Sequence, residues 1–459
     1  MNDFDLIVIG AGPGGYEAAL HAAKLGLKTA VVEKREVGGT CLNRGCIPTK
    51  ALLHASAVYE EAKNGPALGV TADNLSYDLS AMFAYKQQVV EKLRSGIESL
   101  FKAAKVTLIR GVGTLTAANT VTVAGENEGV YTAQNILLAT GSVPARPPIP
   151  GLDLPGVMTS DELLAGEGGE FSSLVIIGGG VIGMEFATFY NDLGVDVTVV
   201  EGLDRLLPNM DRELGQNLAM IMKKRGVQVF TGAMVKDLEQ TEAGLQVNFE
   251  TKGKLQSVIG QKVLCAIGRS PYTAGLFAEG MAPEMDRRRI RVNEKFETSI
   301  PGVYAVGDVS SPVQLAHVAT AQGIAAVNEI AGKGNAMDLS LVPGCVYVRP
   351  EIAAVGLTEA DAKAREIPVK TAKALMSSNG RTVILNGDRG FMKLVAHAET
   401  KKLLGAQLMC SNASDMISQL SEAIAGGQTP ADLLRAMRPH PTFEEALTAA
   451  LEELEAKLG

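Results

Sequence analysis

At 459 residues the chain is longer than one ordinary core organises, so several domains are expected. Hydrophobic residues at 46%, charged residues at 20% and 50 glycines indicate a folded α/β protein and exclude a disordered or fibrous one. The formal net charge of −8 is spread over both signs without long runs, which leaves no electrostatic footprint for a nucleic acid or an anionic membrane. The start, MNDFDLIVIG, places two aspartates before its first apolar run, where a secretory signal needs a basic segment. The most apolar stretch, 172–190, is broken by Gly178 to Gly180 and by Glu185, short of the roughly 20 apolar residues of a membrane span. A soluble, cytoplasmic protein is expected.

In chain order, FDLIVIG at 4–10 reads as a buried strand, AGPGG as a glycine turn and YEAALHAAKLG as a helix of small residues, with LKTAVVEK the next strand. Residues 172–201 repeat this plan as SSLVIIG, GGVIG, MEFATFYNDLG and VDVTVVE, and Glu201 follows Gly178 at the spacing at which Glu33 follows Gly10. Two copies of one βαβ unit predict a duplicated architecture with one dinucleotide in each copy. Gly10, Gly12 and Gly15, and again Gly178, Gly180 and Gly183, occupy the G-x-G-x-x-G positions. There glycines serve a tight turn, a close approach of backbone to pyrophosphate and close helix packing. Glu33 and Glu201 end the second strand of each unit, where a carboxylate accepts from ribose hydroxyls. An acid at that position repels a 2′-phosphate, so NAD is favoured over NADP in the second unit, although Arg205 stands nearby.

Between the copies, the proline- and glycine-rich stretch at about 141–156 reads as a linker. Further strands are expected in VLCAIGRSP at 263–271 and TSIPGVYAVGDVS at 298–310, followed by the helical LAHVATAQGIAAVNEIAG. From about residue 339 the pattern turns to short strands such as CVYVRPEIAAVG and GFMKLVAHA and then amphipathic helices, which predicts an α+β terminal domain.

Two of the five cysteines, Cys41 and Cys46, sit close together in GGTCLNRGCIPTK, while Cys265, Cys345 and Cys410 are isolated and read as buried packing residues. Metal sites favour Cys-x2-Cys knuckles with a second ligand pair, and no second cluster is visible. A disulfide is open to a glycine-flanked loop entering a helix, whereas one regular helix would turn the two thiols apart. Chance proximity is the third reading. A helix N-terminus with Arg44 or Lys50 nearby would favour thiolates. The pair follows directly on Glu33, where a nucleotide cofactor could meet it.

Together GAGPGG with Glu33, GGTCLNRGCIPTK, LLATGS, GGGVIGME, AIGR, GVYAVGDV and HPTFEEA, in this order, make the chain resemble the flavin-dependent pyridine nucleotide disulfide oxidoreductases over essentially its full length. Within that family GCIPTK resembles the branch that oxidises dihydrolipoamide. The glutathione branch typically reads GCVPKK and tends to carry tyrosine where this chain has Val181, and mercuric reductases usually end in a further cysteine pair, whereas this chain ends LEELEAKLG. The resemblance implies two Rossmann-like domains plus a C-terminal α+β dimerisation domain. It divides the chain into an FAD-binding domain at 1–145, an NAD-binding domain at 146–268, a central domain completing the FAD site at 269–338 and an interface domain at 339–459.

By the same resemblance Gly10, Gly12, Gly14, Gly15 and Glu33 hold FAD, with Thr140 and Gly141 of LLATGS and Asp308 of the GD motif on the flavin side. Gly178, Gly180, Gly183 and Glu201 belong to the NAD side, Gly268 of AIGR is a further cofactor-binding position, and His317 is placed near the flavin or in a packing role. Lys50 is implied to sit by the flavin, paired with Glu185; Cys46 is implied as the flavin-facing sulfur and Cys41 as the one that meets substrate. His440 and Glu445 match a His-Glu dyad that acts across a homodimer, the histidine taking a thiol proton and the carboxylate fixing its tautomer. The implied partner is a lipoylated carrier protein, such as the E2 component of a 2-oxoacid dehydrogenase or glycine cleavage assembly. The alternative is reduction of another disulfide or a metal ion by NAD(P)H. One departure stands out: the family often reads HAHPT, and the first histidine position here is Arg438.

Overall fold

The computed structural model describes residues 2–335, 337–387 and 389–459. Phe4–Ile9 is almost wholly apolar and forms the centre of a sheet in which Thr29–Glu33, Thr107–Arg110, the second half of Gly129–Leu138 and Val303–Ala305 run parallel. Strands buried on both faces read as continuous hydrophobic runs, and FDLIVI and TAVVE do so. The helix Pro13–Lys24 starts with proline in its first turn, where the missing N–H costs nothing. Its alanines let it lie close against the helix Ala316–Ile330: a Cβ added at Gly323 would meet Gly14 O at 2.4 Å.

The second unit repeats the layout. Ser173–Ile177, Asp196–Glu201, Gln228–Thr231, Lys262–Cys265 and Val157–Met158 form a parallel five-stranded sheet, and the helix Val181–Asp192 follows its glycine turn. Both units carry a small antiparallel meander: Val112–Ala117 and Thr120–Ala124 in the first, residues 233–260 in the second. The stretch read as a linker is not all irregular, because Ser142–Pro144 pairs antiparallel with Arg269–Pro271.

The C-terminal part is a five-stranded antiparallel sheet in the order 344–346, 352–356, 403–409, 391–397, 369–375, covered by the helices Ala413–Ala425 and Glu445–Leu458. Val346, Val348, Ile352, Phe391 and Met409 of this part share one apolar cluster with Leu52, Phe186, Phe189 and Leu207. Among the described residues no helix is long and apolar enough to cross a membrane.

Candidate active site

Both glycine turns open into one cavity of about 1760 Å³, which Cys41, Cys46, Lys50 and Glu185 also line. Each turn is built the same way. Gly10 and Gly178 have φ of +103° and +113°, and a Cβ there would meet Ala139 O at 2.4 Å or Ala266 O at 2.5 Å, so only glycine fits. Gly12 and Gly180 face the cavity with no protein atom nearer than 3.9 Å to an added Cβ, which leaves the backbone at each helix N-terminus free for a pyrophosphate. Gly15 and Gly183 lie outside the cavity lining and serve packing, since a Cβ on either would sit about 2 Å from the carbonyl oxygen of Gly10 or Gly178.

Glu33 accepts from the backbone N–H of Ala11 and of Arg35, both at 2.8 Å. Glu201 copies this with Gly179 at 2.6 Å and Leu203 at 2.7 Å. Both carboxylates line the cavity, and each is fixed before any ribose arrives. The residues present therefore fit two dinucleotides, one per unit.

The thiol pair is tied to the first turn by glycine. Gly38 N donates to Ala11 O at 2.7 Å, and Gly39 approaches Gly12 so closely that an added Cβ would stand 2.5 Å from its Cα. Where a glycine-flanked loop was expected, Cys41 sits in a short helix, Gly39–Arg44, which breaks at Gly45 before the helix Cys46–Asn64. That break resolves the geometric objection to one regular helix. The Cys41 thiol donates toward the Cys46 sulfur.

The surroundings shift the two thiols in opposite directions. The hydrogen bond from Cys41, helped by the Lys50 ammonium, brings the Cys46 thiol down to about 7 against burial and Glu185. Donating that same hydrogen bond, burial and the neighbouring Cys46 charge push the Cys41 thiol up. Lys50 stands on the Cys46 helix one turn on, and its Nζ donates to both carboxylate oxygens of the buried Glu185 at 2.8 Å. Tyr347 completes the group, its N–H donating to Glu185 Oε1 at 3.1 Å and its ring lying 4.6 Å from Lys50 Nζ.

On the far side of the first unit, Asp308 accepts from Ser142 Oγ at 2.5 Å, and Arg269 Nε donates to Ser142 Oγ at 2.8 Å. Burial pushes the Asp308 carboxyl up, opposed by Ser142 and Arg269. Thr140 and Gly141 line the cavity beside it, Thr140 Oγ1 donating to Tyr272 O at 2.6 Å, and Gly268 lines it as well. His317 also lines it, with Nε2 2.9 Å from Pro343 O.

His440 lies elsewhere. Its side chain is 80% exposed, it does not line this cavity, and its Nδ1 is 2.6 Å from Glu445 Oε1. The histidine's hydrogen bond and the Thr442 N–H hold the Glu445 carboxyl below its usual range. Arg438 donates to Thr448 Oγ1 at 3.3 Å on the same helix end. Among the described residues, no group of three or more His, Cys, Asp or Glu side chains is placed to hold a metal ion.

Comparison with known proteins decides the family. Residues 4–323 match the profile described as pyridine nucleotide-disulphide oxidoreductase, and residues 342–451 match the dimerisation domain of the same family. The chain belongs to the pyridine nucleotide-disulphide oxidoreductases. Its similar relatives include the dihydrolipoyl dehydrogenases of Bacillus subtilis, 40% identical over 98% of this chain and 96% of that one, and of Thermus scotoductus, 41% identical over 99% and 98%. Among solved structures it is similar to LpdA from Mycobacterium tuberculosis, with a TM-score of 0.88 and 29% identity over 98% of this chain and 99% of that one. It is also similar to the HOCl-induced flavoprotein disulfide reductase RclA from Escherichia coli, with a TM-score of 0.86 and 27% identity over 98% and 99%.

As a pyridine nucleotide-disulphide oxidoreductase the chain is an enzyme that uses a flavin and a nicotinamide nucleotide, and its dimerisation domain supports a homodimer. The dyad His440–Glu445 falls within that domain. Sequence reasoning missed Tyr347, Ser142 and Arg269. Ser142 and Arg269 end the LLATGS and AIGR motifs, a signal that was available; Tyr347 acts on Glu185 through its backbone, which no side-chain pattern reveals.

Proposed function

We propose that the chain is a dihydrolipoyl dehydrogenase that oxidises dihydrolipoamide on a lipoylated carrier protein with NAD, working in the cytoplasm as a homodimer. The observation that carries the mechanism is that one cavity joins both dinucleotide cradles to the Cys41–Cys46 thiol pair and to the paired Lys50 and Glu185. FAD fits the first cradle, through Gly10, Gly12, Gly14 and Glu33 with Asp308, and NAD the second, through Gly178, Gly180 and Glu201. When bound, the flavin supplies a two-electron relay between the thiols and the nicotinamide.

The chain's own residues do the rest. In the oxidised enzyme Cys41 and Cys46 form a disulfide; a substrate thiolate attacks the Cys41 sulfur, the Cys41–Cys46 bond breaks, and Cys46 leaves as a thiolate. The Lys50 ammonium, which also lowers the Cys46 thiol, favours its departure as a thiolate. His440 of the partner subunit takes the proton of the second substrate thiol, Glu445 of the partner subunit steadies the resulting imidazolium, and closure of the substrate's own disulfide releases the Cys41 thiolate. Lys50 holds charge beside Cys46, and Glu185 with the Tyr347 N–H fixes where that charge sits.

The exposure of His440 on its own chain supports action across the dimer. Purified holoprotein given free dihydrolipoamide and NAD should form NADH, and Cys46→Ser should abolish it; no NADH from the unaltered protein would overturn the reading. Sedimentation supplies a second check, since an active monomer would contradict a histidine acting from the partner.

A further inference from the structure

Residues 202–211 connect Glu201 to the helix Arg212–Lys224, and Leu203, Leu207, Pro208, Asn209 and Met210 of this loop line the second nucleotide cradle. The loop is strained. Leu207 is buried with φ of +48°, a left-handed conformation that a leucine adopts only when its surroundings over-determine it. One restraint is local: Leu207 N donates to Gly179 O at 2.9 Å, which ties the loop to the glycine turn.

Gly232 N–H to Leu203 O at 2.6 Å and Arg205 Nη2 to Pro208 O at 2.9 Å add to this local restraint, and a further one comes from a different domain. Asp211 is buried and caps the helix, its Oδ1 accepting from Glu213 N at 2.8 Å. Its Oδ2 accepts from Lys393 Nζ at 3.1 Å, and the same ammonium lies 2.9 Å from Glu213 Oε1 and 3.4 Å from Glu359 Oε2. Lys393 belongs to the strand Phe391–His397 of the C-terminal sheet and is 7% exposed, so it is no solvated surface charge. Strand alternation puts Phe391 on the same face, and Phe391 packs in the apolar cluster that contains Leu206, Leu207 and Leu214. In register Lys393 stands opposite Lys373, a pairing that repels by itself. Glu213 accepts from both ammoniums, at 2.9 Å and 2.6 Å, so the two lysines are held apart from mutual repulsion by the start of the second unit's helix.

We propose that Lys393 is a positioning residue for the pyridine nucleotide: from the dimerisation domain it pins the strained 202–211 loop through Asp211 and Glu213, and so sets nucleotide affinity in a cradle it does not touch. The proposal rests on the reading of the second unit as the NAD site. Burial opposes a charged Lys393, and Glu213 and Asp211 outweigh it, so the pin is charged in the folded protein.

The test separates the two half-reactions in the holoenzyme by rapid mixing. Flavin reduction by dihydrolipoamide should be unaltered in Lys393→Met, within about twofold, as should flavin content and the limiting rate of reoxidation. The NAD concentration for half-maximal reoxidation should rise at least about tenfold, and Lys393→Arg should restore most of it. Asp211→Asn keeps a capping side chain and loses the ion pair, so it should shift NAD dependence in the same direction by less, and it carries the test if Lys393→Met does not fold. An unchanged NAD dependence in these folded variants, or an equal loss in both half-reactions and in flavin content, would overturn the positioning role. Failure of the unaltered protein's reduced flavin to be reoxidised by NAD would instead sink the reading of the second unit, and that outcome is seen before any variant is made.

Discussion

In the first unit Glu33 is followed by a glycine turn that folds back onto Gly12 and presents Cys41, Cys46 and Lys50; in the second, Glu201 is followed by a strained loop with a left-handed, buried Leu207. Up to the acid the two are built alike, with matching positive-φ glycines, matching carboxylates and matching backbone donors to them. The shared part fits a dinucleotide in either unit. What distinguishes the two units is the ten or so residues after the acid, together with what other domains do to them. The first segment is fastened to its own turn; the second is fastened to its own turn, through Leu207 N–H to Gly179 O, and also to the C-terminal sheet.

The hardest way to break the comparison is to remove a thiol. Cys46→Ser or Cys41→Ser should lower kcat for dihydrolipoamide oxidation by about a thousandfold or more, because no other nucleophile replaces the lost sulfur. Nucleotide binding in the second unit should be untouched, so NADH should still bleach the flavin of the serine variants in anaerobic spectra. Loss of that bleaching would mean the two units are less separable than their architecture indicates.

Next in size are the turns themselves. Gly10→Ala drives a methyl into the Ala139 carbonyl and should yield protein purified without flavin. Gly178→Ala drives one into the Ala266 carbonyl and should leave flavin content and the thiol half-reaction intact while kcat/KM for NAD falls on the order of a hundredfold. Flavin absorbance of the purified proteins and NAD kinetics check the pair. A flavin-free Gly178→Ala protein would reverse the assignment of the units.

The duplication and both acids were legible because each depends on the local pattern of one segment, strand, glycine turn, helix, strand, acid, whereas the thiol pair and the dyad were marked by motifs of the family the chain resembles. Less was visible wherever residues far apart in sequence meet. The break at Gly45 that brings the thiols together is one case, since glycine at a helix end and glycine inside a helix look alike in sequence. Lys393 is another: GFMKLVAHA is legible as a strand, and only the fold shows Asp211 and Glu213 beside its lysine. The pairing of Ser142–Pro144 with Arg269–Pro271 was hidden in a stretch whose prolines and glycines argued for a linker. Lys50 and Glu185 stand between these extremes, each with a family motif to mark it but with no local reason to be partners.

A smaller effect probes how the first unit's extra segment tunes its sulfur. In the two-electron-reduced enzyme the long-wavelength absorbance of a Cys46 thiolate against flavin should appear as pH rises through about 7 and vanish below it, since only the deprotonated sulfur donates charge. Lys50 lowers that value, so Lys50→Met should move the midpoint upward, by about one pH unit for an interaction of ~1.4 kcal/mol. The variant also strands the buried Glu185, and breaking a buried pair in this way costs about 3–5 kcal/mol, which thermal unfolding would register separately. A midpoint that stays put while stability falls would confine Lys50 to a structural role.

The smallest expected difference bears directly on why the acids are followed by such different segments. Glutamine in place of either acid keeps one acceptor oxygen and turns an amide toward the second backbone N–H, so one of the two bonds is lost, at a net cost of about 0.5–1.5 kcal/mol. At Glu33 the lost bond is backed up by Gly38 N–H to Ala11 O and by the close Gly39–Gly12 contact, so Glu33→Gln should retain flavin. At Glu201 the Leu203 N–H is the first restraint on the strained loop, and Leu207 N–H to Gly179 O and the Lys393 pin act further along it. Glu201→Gln should therefore raise KM for NAD about fivefold with kcat nearly unchanged, and Glu201→Gln combined with Lys393→Met should exceed the product of the single effects. Measured KM values for the four proteins of that cycle decide it: simple multiplication of the two effects would mean that the acid and the lysine hold the nucleotide site independently.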